Sequence, residues 1–344
     1  MSEDFPAPHE PAQGGARAPL RRQVLTGADD VVSELARLLR AAPVQVLGEV
    51  DSTNDELVRR LADPIRRPVH GSVLLAEHQR AGRGRRDRTW TAPARSSVML
   101  SALVRPERPG RPRTLEPDSL HWLTLLMALA GQRAIRATTG LPARIKWPND
   151  LLLDGAKTAG ILARVAPDPQ GRLCVVVGIG INVDLERDQL PVPTATSLRA
   201  ELTRTDQART GHRAEPVVDR TILAAHLIAG FRDLLERFEA VGGDPSRPLP
   251  ASAVDQDSPM GQDSAGDPRP GPSLLEAIRP RLDTLGRRVR VQRDGQPDLR
   301  GAAEDLTADG ALLVRREDGA LEEVSVGDVV HLRPDAGSAE GRWA

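Results

Sequence analysis

The segment with the clearest chemical character is an arginine- and glycine-rich run over residues 80–88, RAGRGRRDR. Five arginines and one aspartate give it a local charge of +4, although the whole chain carries a formal net charge of only −1. Its glycines, Gly82 and Gly84, let the backbone bend and approach a ligand closely. Taken alone, the run is either a solvated basic loop or a cationic loop suited to phosphate or carboxylate groups.

Two familiar phosphate-binding patterns do not fit this chain. A Rossmann fingerprint needs a third small residue where Asp87 stands, and no acidic ribose partner is evident. A Walker A loop needs a glycine directly before its lysine, whereas Lys157 follows Ala156.

The lysines are concentrated in one short segment. Of 47 basic residues, only Lys146 and Lys157 are lysine, and both lie in RIKWPNDLLLDGAKTAGI. A guanidinium is a planar fork and an ammonium is a compact point charge, so the two do not substitute freely. The clustering suggests that chemistry at this segment requires an ammonium.

Three more short motifs allow both a structural and a functional interpretation. DSTN at 51–54 is a helix cap or a ligand contact, and the polar end of KWPND at 146–150 is a capped turn or a site. The glycines of GIGINV at 178–183 interrupt a strand of β-branched residues, which marks a bulge or a close approach of the backbone to another group.

The hydrophobic pattern predicts the elements that position these motifs. Strands are expected at 44–50, 72–78, 97–105, 143–147, 159–166 and 173–183. Helices are expected at 29–41, from the DSTN motif through Leu61, at 120–138 (apolar on most sides and therefore buried) and at 217–240. Residues 1–20 and 242–273 are rich in Pro, Gly, Ala or charge and are expected to be disordered, the latter as a linker or insertion. Short strand-like pieces after residue 286, with hairpin signals at Asp309-Gly310 and Asp318-Gly319, predict a small β-barrel.

Composition excludes several classes of protein. The single cysteine, Cys174, rules out an intramolecular disulfide and a cysteine-rich zinc site. No apolar run is long enough for a membrane span, and the N-terminus lacks a signal peptide, which predicts a soluble cytoplasmic protein. A near-zero net charge with only seven Trp and Phe and no Tyr argues against a nucleic-acid-binding module.

In their order and spacing, four segments together resemble the biotin protein ligase family: DSTN, AEHQRAGRGRRDRTW, KWPNDLLLDGAKTAGILAR and GIGINV, with VGDVVHLRP near the C-terminus. The resemblance covers about 43–241 and 280–334. It implies an α+β protein, with a mixed-sheet catalytic domain like that of class II aminoacyl-tRNA synthetases and a C-terminal SH3-like barrel. The domains expected are 1–20 (disordered), 21–241 (catalytic), 242–273 (linker or insertion), 274–334 (SH3-like) and 335–344 (tail).

The resemblance also implies an activity: formation of biotinyl-5′-AMP from biotin and ATP with Mg²⁺, then transfer of biotin to a lysine of a biotin carboxyl carrier protein. No permanently bound cofactor, nucleic acid or membrane is implied. By position, biotin contacts would come from Ser52, Thr53, Asn54, Gln79, Arg83, Gly84, Arg85, Lys157 and Gly160. Nucleotide contacts would come from Trp90, Arg88, Asn149, Lys157 and Asn182, with Asp150 a candidate Mg²⁺ ligand and Lys157, Arg85 and Arg83 catalytic.

Two features depart from the family pattern. Asp87 stands where the family commonly has glycine, and the 242–273 segment is an addition. Only 51 residues precede Ser52, too few ordered residues for a winged-helix repressor domain, so we expect a ligase without repressor function. A lipoate–protein ligase, with the same fold and chemistry, and a sensor that binds the adenylate without transferring it remain alternatives.

Overall fold

The computed structural model describes residues 43–331, except 87, 109, 111, 213–214, 253–270, 294 and 326. The helix predicted at 29–41, the N-terminal segment 1–20 and the tail 335–344 lie outside the described residues, as does Asp87.

The catalytic domain is built on a mixed sheet, which in the described part of the chain has seven strands. The strands span β1 Val44–Leu47, β2 Val73–Ala76, β5 Ser97–Val104, β6 Arg144–Lys146, β7 Asp150–Leu153, β8 Ala156–Pro167 and β9 Leu173–Asn182. Their spatial order is β1-β2-β5-β9-β8-β7-β6, with β1 and β2 parallel and the other neighbours antiparallel. A separate hairpin joins β3 Gly82–Arg83 to β4 Thr89–Trp90. Each strand predicted from the sequence is present, although some are shorter.

Two long helices bury one face of this sheet. Helix α2 (Trp122–Thr139) is mostly buried, as its all-round apolar pattern predicts, and it ends at Gly140 in the left-handed region. It packs against α4 (Arg220–Ala240) in the main hydrophobic core. The short helix α1 (Thr53–Leu61) is capped at its N-terminus by Ser52, whose hydroxyl accepts from the Asp55 N–H. A further helix, α3 (Leu198–Thr210), was not predicted, because its sequence is polar with few apolar positions.

The C-terminal domain is an antiparallel sheet of five strands among the residues described, in the order β13-β12-β11-β10-β14. The strands are β10 Arg288–Gln292, β11 Leu299–Leu306, β12 Leu312–Arg316, β13 Leu321–Val324 and β14 Asp328–His331, preceded by α5 Leu274–Ile278. This sheet is compatible with the predicted SH3-like barrel and, with the mixed sheet, confirms the α+β class.

Two tryptophans of the catalytic domain bind the barrel. The Trp147 indole donates to the Gly310 carbonyl at 3.0 Å, and the Trp122 indole donates to the Ala308 carbonyl at 3.2 Å. Both rings are almost fully buried. Because the same hydrophobic core includes residues from both sheets, the two domains share buried surface.

The prediction that the whole 242–273 segment is disordered is wrong at both ends. Leu249 is buried, and its backbone exchanges hydrogen bonds with residues 271–272. Ser252 donates to Asp233 of α4 at 2.9 Å, and Arg237 of the same helix donates to the Pro250 carbonyl at 2.7 Å. Composition misled here, because one buried leucine and a few backbone acceptors hold this stretch on α4. Residues 253–270 lie outside the described part of the chain.

Candidate active site

One cavity of about 1040 Å³ opens at one face of the mixed sheet, between the arginine-rich loop and the barrel. Every site residue predicted from the sequence lines it: Ser52, Thr53, Asn54, Gln79, Arg83, Gly84, Arg85, Arg88, Trp90, Asn149, Asp150, Lys157, Gly160 and Asn182. The structure therefore brings together residues that are up to 130 positions apart in the sequence.

The floor of the cavity consists of glycines on which larger side chains lie. A Cβ atom at Gly178 would stand 2.3 Å from the Asn54 amide oxygen, and one at Gly180 would stand 2.6 Å from the Trp90 ring. Both distances are far below ordinary contact. The glycines of GIGINV thus mark a close approach, the second of the two interpretations that the sequence allowed.

These contacts set an order along the cavity. Gly178 and Gly180 are two residues apart on β9, about 7 Å, so the Asn54 amide and the Trp90 ring lie side by side. Gly160, paired with Gly180 across the strands, faces both Trp90 and Lys157. A Cβ there would be 3.2 Å from the Lys157 Nζ. The ammonium and the indole thus lie side by side against Gly160, two residues along the strands from the Leu162–Gly178 pair on which Asn54 lies.

A hydrogen-bonded polar network forms the end of the cavity near α1. The Gln79 side-chain oxygen accepts from the Thr53 N–H at 2.7 Å and lies 3.0 Å from the Thr53 hydroxyl. The Asn54 amide donates to the Leu162 carbonyl at 2.9 Å. Thr53 and Asn54 are held at the start of α1, Leu162 on β8, and Gln79 by an isolated bridge to Val50 after β2. This fixed arrangement suits recognition of a neutral polar ligand group.

Cations concentrate at the other end. The Lys157 ammonium contacts the Asp150 carboxylate at 2.6 Å. The Lys157 backbone N–H donates to the Thr194 carbonyl, and the Lys157 carbonyl accepts from the Thr196 N–H. Lys146 also lines this end. Burial lowers the pKa of Lys146, and the neighbouring Asp150 acts in the opposite sense. Lys146 was not among the site residues predicted from the sequence, although it is one of the two clustered lysines.

The arginine-rich loop is attached to the barrel through Asp328. Arg85, Arg86 and Arg88 approach this carboxylate at 3.5, 3.6 and 2.5 Å. Arg85 also donates to the Asn149 side chain at 3.2 Å. Asp328 was not among the site residues predicted from the sequence, although it lies in the VGDVVHLRP block, because the block alone does not reveal a contact with residues 240 positions earlier.

Other predicted residues take part in protein contacts as well as lining the cavity. Arg83 pairs with Asp55 at 2.9 Å while its side chain stays largely exposed. The Asn182 amide donates to the Thr196 carbonyl at 3.1 Å, and the Asn149 amide donates to Ile161 at 2.8 Å. The barrel adds His331 to the lining, and burial lowers its pKa to about 4, which keeps it neutral near pH 7.

The residues described hold no group of three or more His, Cys, Asp or Glu side chains placed to bind a metal ion. A Mg²⁺ ion that arrives with a nucleotide is bound mostly by phosphates, with one or two carboxylates from the protein. The carboxylates that line the cavity are those of Asp150, Asp154, Asp283 and Asp328, and the Asp150 carboxylate lies next to Asn149 and is paired with Lys157.

Comparison with known proteins identifies the family. Residues 47–182 match the biotin/lipoate A/B protein ligase family, and residues 284–332 match the biotin protein ligase C-terminal domain. Over 293 residues the chain is 33% identical to the biotin–acetyl-CoA-carboxylase ligase of Mycobacterium tuberculosis, covering 84% of this chain and 89% of that one. The chain belongs to the biotin protein ligase family.

Other relatives agree with this assignment. The bifunctional ligase/repressor BirA of Escherichia coli is 32% identical over 204 residues, 59% of this chain and 57% of that one. Among solved structures, the biotin protein ligase of Aquifex aeolicus in complex with biotin and ATP aligns with a TM-score of 0.59 at 23% identity, covering 85% of this chain and 99% of that one. This likeness confirms the predicted fold. None of the described helices is both long and apolar enough to cross a membrane.

Proposed function

We propose that this member of the biotin protein ligase family joins biotin to ATP and passes the activated biotin to a lysine of a biotin carboxyl carrier protein. The observation that carries the proposal is the order of groups along one cavity: a neutral polar network at one end, followed by an indole and a lysine ammonium that lie side by side, with further cations near the lysine. Biotin has the matching order of a polar ureido ring, an apolar bicycle and chain, and a terminal carboxylate.

In the first step a carboxylate oxygen of biotin attacks the α-phosphorus of ATP, and pyrophosphate leaves. Two unit charges 4 Å apart repel by about 4 kcal/mol at an effective dielectric constant near 20. Lys157, Lys146 and the loop arginines offset this repulsion and stabilise the charge that develops in the transition state. Mg²⁺ bound to ATP neutralises the phosphates further, with Asp150 as its candidate protein ligand.

In the second step the neutral amine of the carrier lysine attacks the acyl carbon, AMP leaves and the amine loses a proton. Water competes for the same carbon, so the adenylate must be covered until the carrier arrives. We assign that cover to the loop that carries Arg83, Gly84 and Arg85. We assign recognition of the biotin ring to Ser52, Thr53, Asn54 and Gln79. We assign recognition of the nucleotide to Arg88, Trp90, Asn149 and Asn182.

The test supplies the purified protein with ATP, Mg²⁺, ¹⁴C-biotin and a biotin carrier domain. We expect pyrophosphate release that depends on biotin, and label on the carrier lysine. Lipoate in place of biotin is the matched control. Activity with lipoate alone would favour the lipoate ligase alternative, and tight binding without pyrophosphate release would favour a sensor. We also propose a cytoplasmic enzyme without a DNA-binding role, which operator-DNA binding assays with the full chain check.

A further inference from the structure

A buried serine lies directly beneath the polar end of the cavity. Ser101 is in the middle of β5, fully shielded from solvent, and is absent from the cavity lining. Its hydroxyl oxygen is 2.6 Å from the Asn54 side-chain oxygen and 2.7 Å from the Thr53 hydroxyl oxygen. Ser101 therefore touches two lining residues without facing the ligand itself.

The direction of these hydrogen bonds follows from which atoms can donate. The Asn54 amide nitrogen donates to the Leu162 carbonyl, so the oxygen of that amide is the atom that faces Ser101. An amide oxygen only accepts. The single hydrogen of the Ser101 hydroxyl is therefore committed to Asn54.

The same reasoning fixes the Thr53 hydroxyl. Its two polar neighbours are the Ser101 oxygen, whose hydrogen is already used, and the Gln79 side-chain oxygen at 3.0 Å. The Thr53 N–H holds that Gln79 oxygen in place at 2.7 Å. Both neighbours are acceptors, so Thr53 gives its hydrogen to the network and offers the cavity only lone pairs.

The opposite polarity appears at Gln79. With its oxygen turned toward Thr53, its amide nitrogen turns toward Gly82, where a Cβ would stand only 2.9 Å away. Gln79 itself lines the cavity, so the network combines an acceptor at Thr53 with a Gln79 side chain whose remaining polar group, the amide nitrogen, only donates. A cyclic urea carries the complementary groups, an N–H beside a C=O.

We propose that Ser101 is a positioning residue that sets this donor–acceptor polarity and thereby selects a cyclic urea over analogues that lack the ring N–H. The inference rests on the proposed function, since it concerns recognition of biotin. Without the Ser101 hydroxyl, the Asn54 oxygen is left without its donor. The Thr53 hydroxyl hydrogen loses one of its two acceptors and keeps only the Gln79 oxygen, which lies 3.0 Å away and already accepts from the Thr53 N–H, so its turning toward the cavity becomes less unfavourable.

The test compares Ser101→Ala with Ser97→Ala. Ser97 lies on the same strand, is equally buried, and its hydroxyl has no hydrogen-bond partner among the described residues. The substrates are biotin and its cyclic carbamate analogue, in which one ring N–H is replaced by oxygen. The measurement is kcat/KM for each in ATP–pyrophosphate exchange, together with KM for ATP and the melting temperature.

In Ser101→Ala we expect KM for biotin to rise about tenfold, the equivalent of one net hydrogen bond. We expect the preference for biotin over the carbamate to fall by a similar factor, with KM for ATP unchanged. Ser97→Ala should keep the wild-type preference. A Ser101→Ala protein with unaltered preference would overturn the inference, even if it were less stable.

If Ser101→Ala does not fold, Ser101→Cys keeps the volume with a weaker donor, and an intermediate preference is then expected. A wild-type preference in Ser101→Cys would equally count against the role. A wild-type enzyme that makes no biotinyl-adenylate refutes the proposed function. An active wild type whose Ser101 variants keep its preference refutes only this inference.

Discussion

Replacing Gly180 by alanine tests the arrangement of the cavity floor. The added methyl would stand 2.6 Å from the Trp90 Cε2 atom and 2.9 Å from Cζ2 and Nε1. Carbon atoms in good contact are about 3.5–4.0 Å apart, so the indole must retreat by about 1 Å. Because Trp90 pairs with Gly82 in the β3–β4 hairpin, this shift also displaces the start of the arginine-rich loop.

The expected signature is a loss of activity without a loss of stability. Glycine inside a strand is less favourable than alanine by about 0.5–1 kcal/mol, which offsets part of the local strain. We therefore expect the free energy of unfolding to change by less than about 1 kcal/mol. A displacement of about 1 Å at a reacting centre can reduce turnover about 100-fold, so we expect a loss of that order in pyrophosphate exchange, with a raised KM for ATP.

The assay measures biotin-dependent ATP–pyrophosphate exchange and denaturant unfolding of the same preparations. Gly48→Ala is the matched control, because no atom lies within 4 Å of the position its Cβ would take. Gly180→Ala with wild-type exchange would refute the assignment of the indole to the reacting site. Unfolding of Gly180→Ala alone would show instead that the contact serves the fold.

Four other perturbations have defined outcomes. Lys157→Arg should lower pyrophosphate exchange about 100-fold at unchanged melting temperature, because a planar guanidinium does not reproduce the ammonium held between Asp150 and Gly160. Near-normal exchange would contradict the role of Lys157 in adenylate formation. Burial lowers the pKa of His70 to about 4, below its ordinary 6.5. Between pH 4 and 6.5 the unfolded chain therefore binds more protons than the folded protein, so the free energy of unfolding should fall by up to about 3 kcal/mol as the pH drops through this interval. Urea titrations of His70→Asn should show a weaker pH dependence. Replacing 254–269 by a short Gly/Ser linker should leave pyrophosphate exchange and the melting temperature nearly unchanged, because closure entropy varies by about 0.6 kcal/mol per halving of loop length. Deleting 274–344 should lower both the melting temperature and turnover, because it exposes buried surface shared by both domains. Equal melting temperatures for that truncation and the full chain would contradict the shared core.

Local patterns in the sequence were sufficient to predict most of the elements. Runs of apolar residues located β5, β9 and α2 to within a few residues, because these elements are buried on most sides, and period-3.6 apolar spacing located α4. The pattern missed α3, whose sequence is largely polar. Its position depends on a capping serine and on contacts with the rest of the fold.

The sequence by itself determined which residues could serve the chemistry. The order and spacing of its motifs predicted the family, and the glycines of GIGINV indicated either a bulge or a close approach of the backbone to another group. Only the tertiary structure decided what lies against them: Asn54 on Gly178, Trp90 on Gly180, and Lys157 beside Gly160. It also decided that Ser101 contacts Asn54 and Thr53 beneath the cavity, that Asp328 of the barrel holds three loop arginines, and that residues 242–252 pack on α4. The physical reason is distance along the chain. A strand or helix is encoded by neighbours within a few residues, whereas these contacts join groups up to about 240 residues apart, and only packing of the complete fold brings such groups together.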